Sequence, residues 1–143
     1  MTVRARDMLE AKGQDIVTVA PNASLEDAIE TLAKHRIGAV LVTVGDEVRG
    51  IVSERDVVRV LAGAPTGFRE TPVENVMTSP VHTIGPDDTV DDLLDLMTAR
   101  RVRHLPVCEG GRLVGILSIG DVVKHRIREA TAEAEELRGY IHT

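Results

Sequence analysis

The sequence predicts a mixed helix-and-strand fold of the α+β class, built from two tandem copies of one unit. Shifting the chain against itself by 65 residues aligns residues 16–59 with residues 81–124 without a gap. The most similar stretches read GIVSERDVV at residues 50–58 and GILSIGDVV at residues 115–123. A long period with only two copies indicates duplication of a half-domain. Because about 60 residues make a marginal domain alone, the copies are expected to share a core.

The sequence of each copy predicts the element order β-α-β-β-α. A short apolar segment that ends at a proline predicts the first strand, in DIVTVAP and in SPVHTIGP. Apolar residues at helical spacing predict a helix in SLEDAIETLAKHRIG and in TVDDLLDLMTARRVR. Two apolar runs then turn at Gly45-Asp46 or at Gly110-Gly111, which predicts a hairpin because glycine reaches the positive φ of tight turns. A second helix is expected to begin at SERDVVRVLA and at SIGDVVKHRI.

These elements predict three segments along the chain. The first copy with its N-terminal segment takes residues 1–69, the second copy residues 70–128, and a helical tail residues 129–143. AGAPTGFRETP is the expected linker, and VENVM a short helix entering the second copy. An apolar seam follows the tail at helical spacing, at Ile127, Ala130, Ala134, Leu137 and Ile141. The seam packs either on its own domain or against a partner helix in a dimer, and it is too short to decide between the two.

Composition narrows the class of protein. A net charge of −6 argues against nucleic-acid binding. The local cluster of positive residues in ARRVRH, residues 99–104, is nevertheless compatible with a small anionic ligand. The sequence has no apolar run long enough for a membrane span and no signal peptide, so we expect a cytoplasmic protein without a membrane partner. The single cysteine, Cys108, forms no intramolecular disulfide and is expected to be a small core residue. Five histidines without paired spacing predict no metal site.

A hydroxyl residue followed three positions later by aspartate occurs at each of the four expected main helix starts. This spacing is typical of a capping box, in which the two side chains satisfy free N–H groups. The pairs are Ser24/Asp27, Ser53/Asp56, Thr89/Asp92 and Ser118/Asp121. Ser53 and Ser118 differ from the others because each directly follows an apolar strand. A strand that ends at a helix N-terminus favours an anion, and a carboxylate there can accept hydrogen bonds from ribose hydroxyls.

The doubled GIVSERDVV and GILSIGDVV within tandem β-α-β-β-α units resemble the CBS-domain pair, also called the Bateman module. The resemblance covers residues 3–127. It implies a pseudo-two-fold module, usually a flat homodimer. Its clefts would bind an adenosine-containing ligand such as AMP, ADP, ATP, NAD or S-adenosylmethionine. The output would be regulation rather than catalysis, directed to an unidentified protein partner or through the dimer, and no catalytic cofactor is expected.

The resemblance also implies that each cleft combines the Ser and Asp of one copy with strand residues of the other. One cleft would pair Ser118 and Asp121 with Thr18, Ile37, Gly38 and Ala39. The other would pair Ser53, Arg55 and Asp56 with Thr83, Val102, Arg103 and His104. Both copies keep the Ser and the Asp, so both clefts are expected to be competent.

The matched strand residues predict two unequal clefts. Gly38 and Ala39 leave room for a base or a larger ligand, whereas Arg103 and His104 supply charge that attracts phosphate. A solvated surface position for Arg103 is the alternative.

Two other functions remain open at the level of sequence. LSIG at residues 117–120 is half of the Gly-x-Ser-x-Gly elbow of hydrolases, but Ile116 stands where the first glycine is needed. A small nucleotide-using enzyme and a structural dimerisation module without ligand are therefore the alternatives to a nucleotide sensor.

Overall fold

The computed structural model describes residues 2–13, 16–63 and 66–141, and it confirms the α+β class. The described residues form five helices and five strands, with two single 3₁₀ turns at Phe68–Glu70 and Val73–Asn75. In chain order the elements are α1 (Ala5–Lys12), β1 (Thr18–Val19), α2 (Leu25–His35), β2 (Ala39–Val44), β3 (Glu47–Ser53), α3 (Glu54–Gly63), α4 (Val90–Arg100), β4 (His104–Glu109), β5 (Arg112–Ser118) and α5 (Ile119–Ile141). Within the described residues no helix is both long enough and apolar enough to cross a membrane.

One compact unit contains Ile16–His82 and Gly111–Leu113. Its sheet has the order β1-β2-β3, with β1 parallel to β2 and β2 antiparallel to β3. The register places Ala39 opposite Ser53, so the start of β2 lies beside the end of β3. Side chains from the sheet, from α2 and from the second 3₁₀ turn form the core: Leu25, Ala28, Leu32, Val40, Val42, Val52 and Val73.

The other compact unit contains Met1–Asp15, Thr83–Gly110 and Val114–Thr143. Here β4 and β5 pair, and α1 joins α4 and α5 around them. Its core is formed by Ala5, Met8, Ile84, Val90, Leu93, Met97, Leu105, Val107, Leu117 and Val122. The N-terminal helix thus contributes its apolar face to the unit that holds the second copy.

Several local expectations differ from the structure. SPVHTIGP forms a single bridge, from Ile84 to Val107, because prolines on both sides of the bridging residue cannot donate to a ladder. VENVM makes one 3₁₀ turn whose Val73 is fully buried in the first unit. Cys108 lies half-buried on β4 rather than in the core, and burial raises the pKa of its thiol.

The tail is not a separate helix. Residues 119–141 form one helix, α5, which runs across the expected boundary at residue 128 because neither proline nor a capping residue interrupts it. Ile127 and Leu137 of the predicted seam are more than half exposed, and the side chain of Ile141 lies outside the described residues. The three-segment division of the chain stays a prediction.

The glycine of each repeated stretch is required by packing. A Cβ on Gly115 would collide with the Leu9 side chain, with Cδ1 at 2.9 Å. A Cβ on Gly50 would collide with the Met77 side chain, with Cγ at 2.8 Å, and would lie 3.1 Å from the carbonyl oxygen of Thr78. Leu9, which precedes the first copy, therefore packs on the hairpin backbone of the second copy. Met77, which precedes the second copy, packs on the hairpin backbone of the first.

Gly115→Ala should lower the free energy of unfolding by about 1–3 kcal/mol, because the Leu9 side chain must move to admit a methyl group. Urea denaturation followed by circular dichroism measures the change. The matched control is Gly139→Ala in α5, where no described atom beyond the local helix backbone lies within 4 Å of the new Cβ. Equal unfolding free energies for both variants would show that the contact with Leu9 imposes no constraint.

Candidate functional site

Ser53 and Asp56 form a reciprocal cap where β3 becomes α3. The Asp56 carboxylate oxygen Oδ2 accepts hydrogen bonds from the Ser53 N–H at 2.8 Å and from the Ser53 hydroxyl at 3.0 Å. In return the Asp56 N–H donates to Ser53 Oγ over 3.3 Å. The bonds fix the last strand residue to the first helical turn.

The second oxygen of Asp56 is also occupied. Oδ1 accepts hydrogen bonds from the Arg59 guanidinium and, at 3.0 Å, from the Thr78 hydroxyl. Two donors on each oxygen satisfy the usual capacity of a carboxylate. The side chain is only 4% exposed, so its burial is compensated by a complete set of partners.

Ser118 and Asp121 repeat the cap where β5 becomes α5. Asp121 Oδ2 accepts from the Ser118 N–H at 2.9 Å and the Ser118 hydroxyl at 3.0 Å, and the Asp121 N–H donates to Ser118 Oγ over 3.3 Å. The same oxygen accepts from Lys12 Nζ at 2.9 Å. Among the described residues no donor reaches Asp121 Oδ1, and the side chain is 27% exposed.

The Lys12 contact influences the ionisation of Asp121. Partial burial acts to raise the pKa of Asp121, but the hydrogen bonds from Lys12 and Ser118 outweigh it, so this pKa lies below the ordinary aspartate value. Asp121 is therefore an anion at neutral pH and is balanced by the ammonium group beside it.

The other two hydroxyl-aspartate pairs are helix caps on more exposed surfaces. The Asp27 N–H donates to Ser24 Oγ at 3.1 Å. Thr89 and Asp92 make the full reciprocal box, and the N–H and hydroxyl of Thr89 lower the pKa of Asp92. The hydroxyl cap is thus present at all four helix starts, and the aspartate returns a hydrogen bond at three of them, those of Asp56, Asp92 and Asp121.

The predicted strand residues lie beside the Ser of their own copy. The Glu54 N–H donates to the Gly38 carbonyl oxygen at 3.0 Å, which places Gly38 and Ala39 next to the start of α3. Thr18 lies on β1, which pairs with β2.

In the second unit the Ile119 N–H donates to the Arg103 carbonyl oxygen at 2.8 Å, so residues 102–104 lie next to the start of α5. Arg103 and Thr83 are exposed, and Val102 and His104 are partly buried. The same backbone hydrogen bond thus links matched positions in both copies.

Three contacting residues were not predicted from the sequence. Arg59 had a local signal, since it lies three positions after Asp56 on one helix face. Thr78 and Lys12 had none, because they reach the carboxylates from 22 and 109 residues away. Within the described part of the chain, no cluster of three or more His, Cys, Asp or Glu side chains has a metal-binding arrangement.

The comparisons with known proteins agree with this arrangement. The family model described as "CBS domain" matches residues 5–63 and residues 73–128. "CBS domain-containing protein CBSX3, mitochondrial" of Arabidopsis thaliana is 30% identical over 144 residues, which cover 94% of this chain and 70% of that protein.

Two solved structures extend the comparison. The CBS-domain containing protein ATU1752 of Agrobacterium tumefaciens has a TM-score of 0.83 and 46% identity, covering 88% of this chain and 95% of that one. The CBS domain protein PAE2072 of Pyrobaculum aerophilum, complexed with AMP, has a TM-score of 0.75 and 28% identity, covering 83% and 89%. With both matched segments and the doubled strand-to-helix caps in place, the chain belongs to the CBS-domain family as a CBS-domain pair.

Proposed function

We propose that this CBS pair is a regulatory module that binds an adenosine-containing ligand and catalyses no reaction. The observation that carries the proposal is the Ser-x-x-Asp cap at a strand-to-helix junction in both units. Each junction brings a serine hydroxyl, an aspartate carboxylate and the positive end of a helix together, a combination that suits ribose and phosphate. The AMP complex of the similar protein PAE2072 supports an adenine nucleotide as the ligand.

The proposed ligand contacts are the two predicted sets. In each set the aspartate would accept from ribose hydroxyls, the serine would face phosphate, and strand residues of the other copy would face the adenine. At Asp56 the exposed Arg59 side chain would have to leave Oδ1 before a ribose hydroxyl could bind there. The first set is Ser118 and Asp121 with Thr18, Ile37, Gly38 and Ala39. The second set is Ser53, Arg55 and Asp56 with Thr83, Val102, Arg103 and His104. AMP, ADP, ATP, NAD and S-adenosylmethionine all carry the required adenosine group.

The signal would pass through a homodimer or to a protein partner in the cytoplasm. Exposed apolar side chains on α3 and α5 support association through helices: Val58 is 64% exposed and Ile127 is 61% exposed. An apolar groove of about 520 Å³ between α2 and α3, lined in part by Ile29 and Val57, adds to this surface. The −6 charge gives no support to nucleic acid as a partner.

Ligand binding should raise the melting temperature. At a hundred times its dissociation constant a ligand adds about 2.7 kcal/mol, which is roughly 5–10 °C for a chain of this size. Thermal denaturation with AMP, ADP, ATP, NAD and S-adenosylmethionine measures the shift. The absence of a shift with every ligand would favour the structural dimerisation module, and turnover of a stabilising ligand would favour an enzyme.

Replacing the aspartates separates capping from ribose binding. Asp56→Ala and Asp121→Ala should each lower stability by about 0.5–2 kcal/mol through the lost cap. Because each also removes a proposed ribose acceptor, affinity for AMP should fall by at least about tenfold. Asp92→Ala is the matched control, since it removes a cap outside the proposed sites. Calorimetric titration that gives the same affinity for all three variants would leave capping as the only role.

Arg103→Ala tests the inequality of the two sites. If the Arg103 guanidinium faces phosphate, its loss should weaken ATP binding about tenfold and change adenosine binding little. Arg100→Ala, at the end of α4, removes the same charge outside the proposed contacts. Equal losses for ATP and adenosine, measured by calorimetric titration, would show that Arg103 does not contact phosphate.

A further inference from the structure

Lys12 is held at the Ser118/Asp121 cap by two acceptors. It is the last residue of α1, and its ammonium donates to the Ile116 carbonyl oxygen at 3.1 Å and to Asp121 Oδ2 at 2.9 Å. Both acceptors belong to the junction between β5 and α5, and the Lys12 side chain is 22% exposed. The ammonium is therefore a fixed, partly desolvated charge rather than a mobile surface cation.

The cation beside Asp121 does not come from the position that matches Arg59 in the first copy. Asp56 takes its cation from its own helix, through Arg59. The matched residue in the second copy is Lys124, whose side chain is exposed, and the ion pair of Asp121 is made with Lys12 instead.

The segment that carries Lys12 is longer than its counterpart. Leu9 contacts Gly115 in the same way as Met77 contacts Gly50. The two contacting residues are 68 positions apart, whereas matched residues of the two copies are 65 positions apart. Six residues separate Leu9 from Ile16, whereas three separate Met77 from Val81. Lys12 lies within this longer connection, so the ion pair with Asp121 has no equivalent in the first copy.

The two carboxylates consequently differ in what they can still accept. Asp56 has two donors on each oxygen and is almost fully buried. Asp121 receives its three donors on Oδ2, and none of the described donors reaches Oδ1. Asp121 thus keeps an acceptor for a hydroxyl group while Lys12 balances its negative charge.

We propose that Lys12 is a specificity-determining residue that makes the Asp121 site prefer phosphorylated adenosine ligands over neutral ones. The inference rests on the proposed nucleotide function and names the ligand class of one site. An unbalanced carboxylate would bind ribose hydroxyls but would repel a nearby phosphate. With Lys12 in place, the carboxylate accepts hydroxyls without a net charge that opposes the phosphate.

Lys12→Met tests this role because it keeps the length of the side chain and removes the charge. AMP and adenosine are the probes, since they share the base and the ribose hydroxyls and differ in the phosphate. Calorimetric titration of the full chain should show weaker AMP binding and equal or tighter adenosine binding. The ratio of the two affinities should fall by about five- to tenfold. Lys12→Arg should restore most of the preference because it keeps the charge.

Lys34→Ala is the control for net charge, since it removes one cation from the exposed face of α2. The preference for AMP should survive in this variant. If Lys12→Met lowers AMP and adenosine affinity equally, Lys12 only supports the fold and the inference is overturned, while the nucleotide function stands. If the unmodified protein binds neither probe, the inference fails together with the proposed function.

Discussion

The reciprocal hydrogen bonds between a strand-ending serine and an aspartate three residues later organise both units. They join the last residue of a sheet strand to the first turn of a helix, so neither element can shift along its axis without breaking them. The same junction brings a serine hydroxyl, an aspartate carboxylate and the first turn of a helix together. The hydrogen bonds that cap the helix therefore also place the polar groups of the proposed ligand site. Capping and ligand binding are compatible roles for the same residues.

The two junctions have the same cap and different electrostatic surroundings. The Asp56 carboxylate is almost fully buried, and its second oxygen accepts hydrogen bonds from Arg59 on the same helix and from Thr78 in the connection before the second copy. Around Asp121, a single lysine from the N-terminal helix neutralises the charge and leaves the carboxylate partly open. Duplication has thus kept the backbone geometry, while Thr78 and Lys12, which lie outside the aligned copies, add a different donor to each carboxylate.

Much of the fold was predictable because its signals are local. The caps, the hairpin glycines and the apolar faces of α2 and α4 each depend on residues within one turn or one strand. The strand residues assigned to the clefts came from the resemblance to the CBS-domain pair, and their pairing with the serine of the other copy stays a prediction. The expected boundary at residue 128 does not coincide with a helix end, because no proline interrupts α5, and the division into three segments stays a prediction. Lys12 and Thr78 were not predicted, because they lie 109 and 22 residues from the carboxylates that they contact. No sequence motif of fixed spacing indicates a contact over such separations.

Because of the connections before each copy, the sequence repeat does not coincide with the compact units of the structure. Met8 and Leu9 precede the first copy, yet Met8 is buried in the core that contains Leu93 and Leu105, and Leu9 packs on Gly115 of the second. Val73 and Met77 precede the second copy, yet they pack with Leu25 and Val52 of the first. A chain divided at residue 69 would leave each copy without the side chains that cover its hairpin glycine. Each copy therefore packs with residues that precede the other copy, and Lys12, which precedes the first copy, contacts Asp121 of the second.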